Sequence, residues 1–151
     1  MKKNAIIEYG LTVEQIHSAK EGQDITLSNG KIIANDVLSI SPPRPRKYVY
    51  MTDTAFMPDA SMWIKNADVL YHEATFGNDL KERAVQTCHS TAWEAGKIAE
   101  MANVKRLVIG HFSVRYQTTE LLENEARQTF KNTEAAYDGK LIDIPYDLRT
   151  I

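Results

Sequence analysis

From residue 47 onward, apolar runs alternate with short polar clusters. β-prone runs around Val49, Leu70 and Val108 each end at polar residues. The intervening segments 61–66, 91–101 and 119–130 predict helices, the last two because their apolar residues recur at helical spacing. A further short strand is predicted over residues 139–145. This alternation of strands and helices predicts a layered α/β fold.

The first 46 residues follow a different pattern. Apolar positions between residues 5 and 20 predict a short helix, with Thr12 placed to cap it. Two β-prone runs on either side of Asn29-Gly30 predict a hairpin, because Asn-Gly is a strong signal for a tight turn. Prolines between residues 42 and 45 then predict a stiff connector, since proline fixes φ and lacks a donor. A subdomain boundary is therefore expected near residue 46.

Composition narrows the class of protein. A chain of 151 residues with 43% hydrophobic residues is large enough to bury its own core. With a net charge of −2, the chain lacks the basic excess typical of general nucleic-acid binding. Binding of a polyanion would therefore require a local basic patch or a metal ion. The single cysteine excludes an internal disulfide, and the sequence has no long apolar run. These features predict a cytoplasmic location.

Candidate chemistry lies at the ends of the predicted strands. Asp53 follows the first of these strands, His72 and Glu73 end the second, and His111 follows the third. Carboxyl ends of strands are common positions for sites in α/β folds, and Asp with His suits zinc or manganese. Taken singly, each has an ordinary structural interpretation, in which Asp53 caps a turn and His111 is a hydrogen-bonded histidine at a strand end.

Several other residues have two interpretations. Glu73 either forms a catalytic pair with His72 or anchors the loop at Thr75 through backbone hydrogen bonds. His89 precedes a predicted helix, where it either donates a hydrogen bond or a proton to a phosphate or simply caps the helix beside Ser90. Ser113 and Arg115 are candidates for phosphate binding, although a loop arginine is more often only solvated.

Four motifs, in order, resemble the ribonuclease Z family of the metallo-β-lactamase superfamily. They are Thr-Asp-Thr at residues 52–54, His-Glu-Ala-Thr at 72–75, His-Ser-Thr at 89–91, and His-Phe-Ser-x-Arg-Tyr at 111–116. The resemblance runs from Tyr48 to Pro145. It implies that residues 47–151 form the C-terminal half of a four-layer αβ/βα sandwich. Residues 1–46 would be the remnant of a tRNA-binding arm and its return segment.

The resemblance also implies roles for individual residues. Asp53 would bridge two zinc ions and His111 would bind one of them, with manganese or another divalent ion as an alternative. His89 would act in catalysis, and Glu73 would orient it. The reaction would be removal of the 3′ trailer from tRNA precursors by two-metal phosphodiester hydrolysis. A homodimer is expected as well.

The sequence also departs from the family pattern. The His-x-His-x-Asp-His cluster is absent, the arm-like segment lacks the Gly-Pro pair, and Met51 and Thr52 stand where small residues are usual. The chain is therefore expected to be the C-terminal half of the enzyme, and to be inactive without the N-terminal half as its partner. Two alternatives are another phosphodiesterase or hydrolase of the same superfamily, and a non-catalytic interaction or dimerisation module.

Overall fold

A computed structural model describes residues 1–40 and 44–145, which form two compact units. One unit lies within residues 1–44, and the other is Pro45–Pro145. Two prolines of the predicted connector, Pro42 and Pro43, lie outside the described residues. Residues 44–46 belong to no helix or strand, and the division lies two residues before the predicted boundary.

The first unit contains three short helices and a two-stranded antiparallel hairpin. Thr12 caps the second helix through a capping box, in which its side chain accepts from the Gln15 backbone and the Gln15 side chain accepts from the Thr12 backbone. Ile25 pairs with Ile33 in the hairpin. The Thr12 cap and the hairpin are thus confirmed. The single helix predicted within residues 5–20 is wrong, because a first helix ends just before Gly10, whose φ is 58°, and a second begins at Val13. The elements are α1 (Lys3–Tyr9), α2 (Val13–Lys20), β1 (Ile25–Thr26), β2 (Ile32–Ile33) and α3 (Asn35–Leu38).

The second unit is built on a four-stranded parallel sheet in the order β3-β4-β5-β6. Parallel neighbours require crossovers, and helices form them here. This arrangement confirms the predicted α/β class. The elements are β3 (Tyr48–Met51), α4 (Ala60–Trp63), β4 (Val69–Glu73), a 3-10 turn (Asn78–Leu80), α5 (Lys81–Gln86), α6 (Ala92–Met101), β5 (Leu107–Gly110), α7 (Glu120–Arg127) and β6 (Thr133–Ala135).

The core of this unit lies between the sheet and helices α6 and α7. Every residue of β5 is buried, and α6 presents small apolar residues that let the helix approach the sheet closely. Thr91 caps α6 through a capping box with Glu94, which fixes where the helix begins. The largest apolar side chains of the core that are fully buried are Leu70, Ile98, Leu107, Ile109 and Leu122.

The predicted last strand is wrong. Residues 139–145 are irregular, and the fourth strand is instead β6, which begins shortly after α7. Thr133 pairs with Leu107 and Ala135 with Ile109, so β6 takes the hydrogen bonds on that edge of β5. Once that edge is occupied, the chain turns at Gly139, whose φ of 83° suits glycine. Sequence pattern cannot foresee this competition for an edge.

Over residues 1–40 and 44–145, the structure contains no helix with the length and apolar character needed to cross a membrane.

Replacing Gly96 with alanine is expected to lower the free energy of unfolding by about 1–2 kcal/mol. Gly96 lies where α6 meets α7, and an added Cβ would clash with the Thr129 side chain and stand 2.5 Å from the Ala126 carbonyl oxygen. Alanine's higher helix propensity, worth about 0.5–1 kcal/mol, offsets part of this cost. Urea unfolding of the wild type and of Gly96→Ala would measure the net change in the free energy of unfolding. Glu100→Ala, at an exposed position of α6, is the control, and equal stability of the two variants would contradict the prediction.

Candidate active site

The sequence motifs converge at the carboxyl end of the sheet. Met51 pairs with His72, and Glu73 pairs with Gly110, so the ends of β3, β4 and β5 lie side by side. Asp53 and His111 follow two of these ends directly. The structure therefore brings together residues that are up to 58 positions apart in the sequence, Asp53 and His111.

Glu73 is the buried centre of this arrangement. Its side chain has no solvent exposure and accepts hydrogen bonds from the Thr54 amide (2.5 Å), the Thr75 hydroxyl (2.6 Å), His89 Nδ1 (3.0 Å) and the Ser90 amide (3.1 Å). A buried carboxylate is tolerated only when its oxygens are satisfied in this way. Glu73 thus anchors the loop at Thr75 and pairs with His89, whereas the ring of His72 bonds to the Glu73 backbone carbonyl.

His89 is held by that carboxylate. Its Nδ1 lies 3.0 Å from each oxygen of Glu73, and 22% of its side chain is exposed. A carboxylate can only accept here, so Nδ1 carries the proton and Nε2 is left free to bind or exchange a proton. Thr91, rather than His89, caps α6. The cap interpretation of His89 is therefore wrong.

Asp53, His89 and His111 form a group that could hold a metal ion. Each offers one ligand atom, and these atoms lie within 4.8 Å of one another. His111 Nε2 is 3.4 Å from Asp53 Oδ1, and two ligands of a tetrahedral zinc ion are separated by about 3.3 Å, given zinc–ligand bonds of about 2.0–2.1 Å. The donor set and spacing fit zinc. The sequence predicts a catalytic role for His89, and the structure places His89 beside the two predicted metal ligands.

The backbone at two of these residues is unusual. Asp53 and His111 have φ values of 51° and 57°, in the left-handed region that residues with a Cβ seldom adopt. Cys88, next to His89, has φ of 58°. Such conformations cost about 1–3 kcal/mol each and cluster at functional sites. Aspartate and histidine are enriched among the non-glycine residues that adopt this conformation, but residue type alone does not indicate which positions do so.

The candidate phosphate-binding residues lie on the loop after His111. The Ser113 amide donates to the Thr75 carbonyl at 3.0 Å, which ties this loop to the one after β4. The Arg115 amide is 3.4 Å from Ser113 Oγ, and Arg115 is exposed. Their role in phosphate binding stays a prediction.

His72, a candidate member of a catalytic pair with Glu73, lies buried within β4. It is fully buried, its Nδ1 donates to the Glu73 carbonyl at 2.7 Å, and its Nε2 has no hydrogen-bond partner. Removal from water lowers the pKa of His72 below its usual value of 6.5, an effect partly opposed by the Glu73 carbonyl and by the charges of Glu73 and Glu94. The imidazole is neutral in the folded chain.

Acid is expected to destabilise the chain through His72. Below pH 6.5, His72 binds a proton in the unfolded chain but stays neutral in the folded chain. The free energy of unfolding therefore falls as the pH drops towards the lowered pKa. The loss is at most about 1.4 kcal/mol per pH unit for this group. Urea unfolding of the wild type and of His72→Gln between pH 7.5 and 5 would test this. Parallel pH profiles for the two proteins would contradict the assignment.

Comparison with known proteins defines the class first. Residues 9–112 match the family described as the β-lactamase superfamily domain, so the chain belongs to that superfamily. A solved structure, the metallo-β-lactamase fold protein YhfI from Bacillus subtilis, superimposes with a TM-score of 0.58 at 26% identity. The match covers 62% of this chain and 38% of YhfI. Both findings confirm the expected fold class.

Within the superfamily, the chain is similar to ribonuclease Z. It is 41% identical to ribonuclease Z of Phocaeicola vulgatus over 144 residues, which is 95% of this chain and 47% of that protein. It is 40% identical to the enzyme of Synechocystis over 131 residues, or 83% of this chain and 40% of that protein. The chain thus spans about half the length of these curated relatives. The resemblance found in the motifs is confirmed.

Proposed function

We propose that this chain supplies one side of the active site of a zinc-dependent endoribonuclease that removes the 3′ trailer from tRNA precursors. The observation that supports this most directly is the convergence of Asp53, His89 and His111 around buried Glu73, in a chain 41% identical to a ribonuclease Z over 95% of its length. Acidic and imidazole donors at a strand-end crevice suit metal-assisted phosphodiester hydrolysis.

Each residue has a defined role in this proposal. Asp53 and His111 would hold the metal. His89, oriented by Glu73 through its Nδ1, presents Nε2 to donate a proton to the leaving oxygen. Bound divalent ions, zinc or manganese, would stabilise the negative charge that develops on the phosphate. Ser113 and Arg115 would contact the neighbouring phosphates of the substrate.

Asp53 and His111 alone, with His89 beside them, do not complete a site for two ions. Zinc sites use three or four protein ligands per ion, and the described residues bring Asp53, His89 and His111 together. We therefore expect the remaining ligands to come from an upstream half like that of the relatives, in the same polypeptide or a second one. The homodimer and the cytoplasmic location expected from the resemblance are further parts of this proposal.

The first unit is proposed to be the end of a tRNA-binding arm. It has a small apolar core of its own, to which α1, α2, α3 and the hairpin each contribute. An independent core allows such a segment to act as a separate module.

Trailer cleavage tests this function. A labelled tRNA precursor would be incubated with zinc or manganese and this chain, with and without an upstream half from a related ribonuclease Z. Cleavage only in the combined sample is the expected result, and Asp53→Ala in the combined sample is the control. If both halves fold and neither sample cleaves, the proposal is wrong. Hydrolysis of a nitrophenyl phosphodiester without trailer cleavage would point to another hydrolase of the superfamily.

A further inference from the structure

The Thr75 hydroxyl lies between the two histidines and the buried carboxylate. Its Oγ1 is 2.6 Å from Glu73 Oε2, 2.9 Å from His111 Nδ1, 2.9 Å from the His111 carbonyl oxygen and 3.5 Å from His89 Nδ1. Thr75 itself is 7% exposed, so bulk water does not compete freely for these contacts. The loop that carries it is held at the Thr75 carbonyl by the Ser113 amide, at 3.0 Å.

The number of protons decides the direction of each hydrogen bond. A hydroxyl has one proton and two lone pairs. Two acceptors lie near this proton, Glu73 Oε2 at 2.6 Å and the His111 carbonyl oxygen at 2.9 Å. The shorter contact is the type formed with an ionised acceptor, so the Thr75 proton points to the carboxylate. The lone pairs of Oγ1 then face His111 Nδ1, which must donate to them. Nδ1 of His111 is therefore protonated, and its Nε2 carries the lone pair.

That tautomer is the one a metal site at Asp53 requires. His111 Nε2 faces Asp53 Oδ1 at 3.4 Å, on the side where the three candidate ligands meet. In the other tautomer Nε2 would carry hydrogen and could not bind a cation. Groups that fix the second nitrogen of a ligating histidine also raise its basicity.

We propose that Thr75 is a positioning residue that fixes the Nδ1–H tautomer of His111, so that Glu73 orients His89 directly and His111 through the Thr75 hydroxyl. A single buried carboxylate would then set the proton on both imidazoles and direct both Nε2 atoms to one site. This inference rests on the proposed function only in naming His111 as a metal ligand. The geometry assigns the role to the hydroxyl and not to the shape of the side chain.

Two readouts test this on the full chain. The first is the tautomer of His111, read from nitrogen and carbon NMR shifts of the metal-free protein at a pH where the imidazole is neutral. The second is zinc affinity, measured by competition with a chromophoric chelator. Thr75→Val removes the hydroxyl at nearly constant volume, and Thr75→Ser restores it. Thr133→Val is the matched control, because Thr133 is also buried, its hydroxyl donates to the Phe130 carbonyl, and it begins β6 at the opposite end of the sheet from the site.

The wild type, Thr75→Ser and Thr133→Val are expected to show protonated Nδ1 at His111. Thr75→Val is expected to show a mixture of tautomers and about 10–100-fold weaker zinc binding. Protonated Nε2 in the wild type would overturn the inference even if Thr75→Val does not fold. An unchanged tautomer and zinc affinity in folded Thr75→Val would also overturn it. If the wild type binds no zinc in the absence of the upstream half but shows the expected tautomer, the role of Thr75 stands.

Discussion

Glu73→Ala is expected to lower the free energy of unfolding by about 3–5 kcal/mol, the usual cost of removing one partner from a buried charged cluster. Four donors point at this carboxylate, and two of them are the backbone amides of Thr54 and Ser90. The substitution leaves those groups buried without an acceptor. It also opens a cavity at a side chain that has no solvent exposure.

Glu73→Gln removes the charge of the side chain but keeps its shape, so it measures how much the charge alone contributes to stability. The amide keeps the volume and one acceptor oxygen, but its NH2 group faces donors, so a smaller loss of about 1–3 kcal/mol is expected. Denaturant unfolding of both variants would measure the difference, with Glu82→Ala at an exposed position of α5 as the control. Equal stability of Glu73→Ala and Glu82→Ala would show that the hydrogen bonds of Glu73 do not stabilise the loops that contain Thr54, Thr75 and Ser90.

His89→Ala is expected to lower the rate of trailer cleavage by about 10²–10⁴-fold in the assay that combines this chain with an upstream half. Nδ1 of His89 is occupied by Glu73, so Nε2 is the atom available to give a proton to the leaving oxygen. Loss of that donor slows the chemical step. The rate would be measured in single turnovers at saturating enzyme and zinc.

The role of His89 as proton donor is distinguishable from a role as metal ligand. Zinc affinity would be measured for His89→Ala and for His111→Ala, and a weaker effect is expected for His89→Ala. His17→Ala replaces an exposed histidine of α2 and is the control for the substitution itself. Recovery of the full cleavage rate of His89→Ala by excess zinc would show that His89 serves as a ligand instead.

These two effects depend on the same buried carboxylate. Loss of Glu73 removes the orientation of His89 together with the anchor of the Thr75 loop. Catalytic and structural consequences of a change at Glu73 are therefore coupled, whereas His89→Ala leaves the bonds to Thr54, Thr75 and Ser90 in place. Comparing Glu73→Ala with His89→Ala therefore distinguishes the effect of orienting His89 from the effect of its proton transfer.

Local structure was predictable wherever its cause lies within a few residues. Thr12 and Thr91 each cap a helix with a partner three positions later, so both caps could be recognised from adjacent residues. The β1–β2 hairpin was predictable from Asn29-Gly30 for the same reason. The short β6 strand was missed, because its formation depends on a free edge of β5 more than 20 positions earlier in the sequence.

The sequence by itself determined which chemical groups stand at the strand ends, since Asp53, Glu73 and His111 directly follow or end apolar β-prone runs. Only the tertiary structure decided what these groups do to one another. Parallel pairing of β3, β4 and β5 places their ends together, and hydrogen bonds across 16 to 36 positions then bury Glu73 and connect it to His89 and, through Thr75, to His111. The physical reason is that a proton's position depends on donors and acceptors within about 3 Å in space, and separation along the chain does not determine that distance.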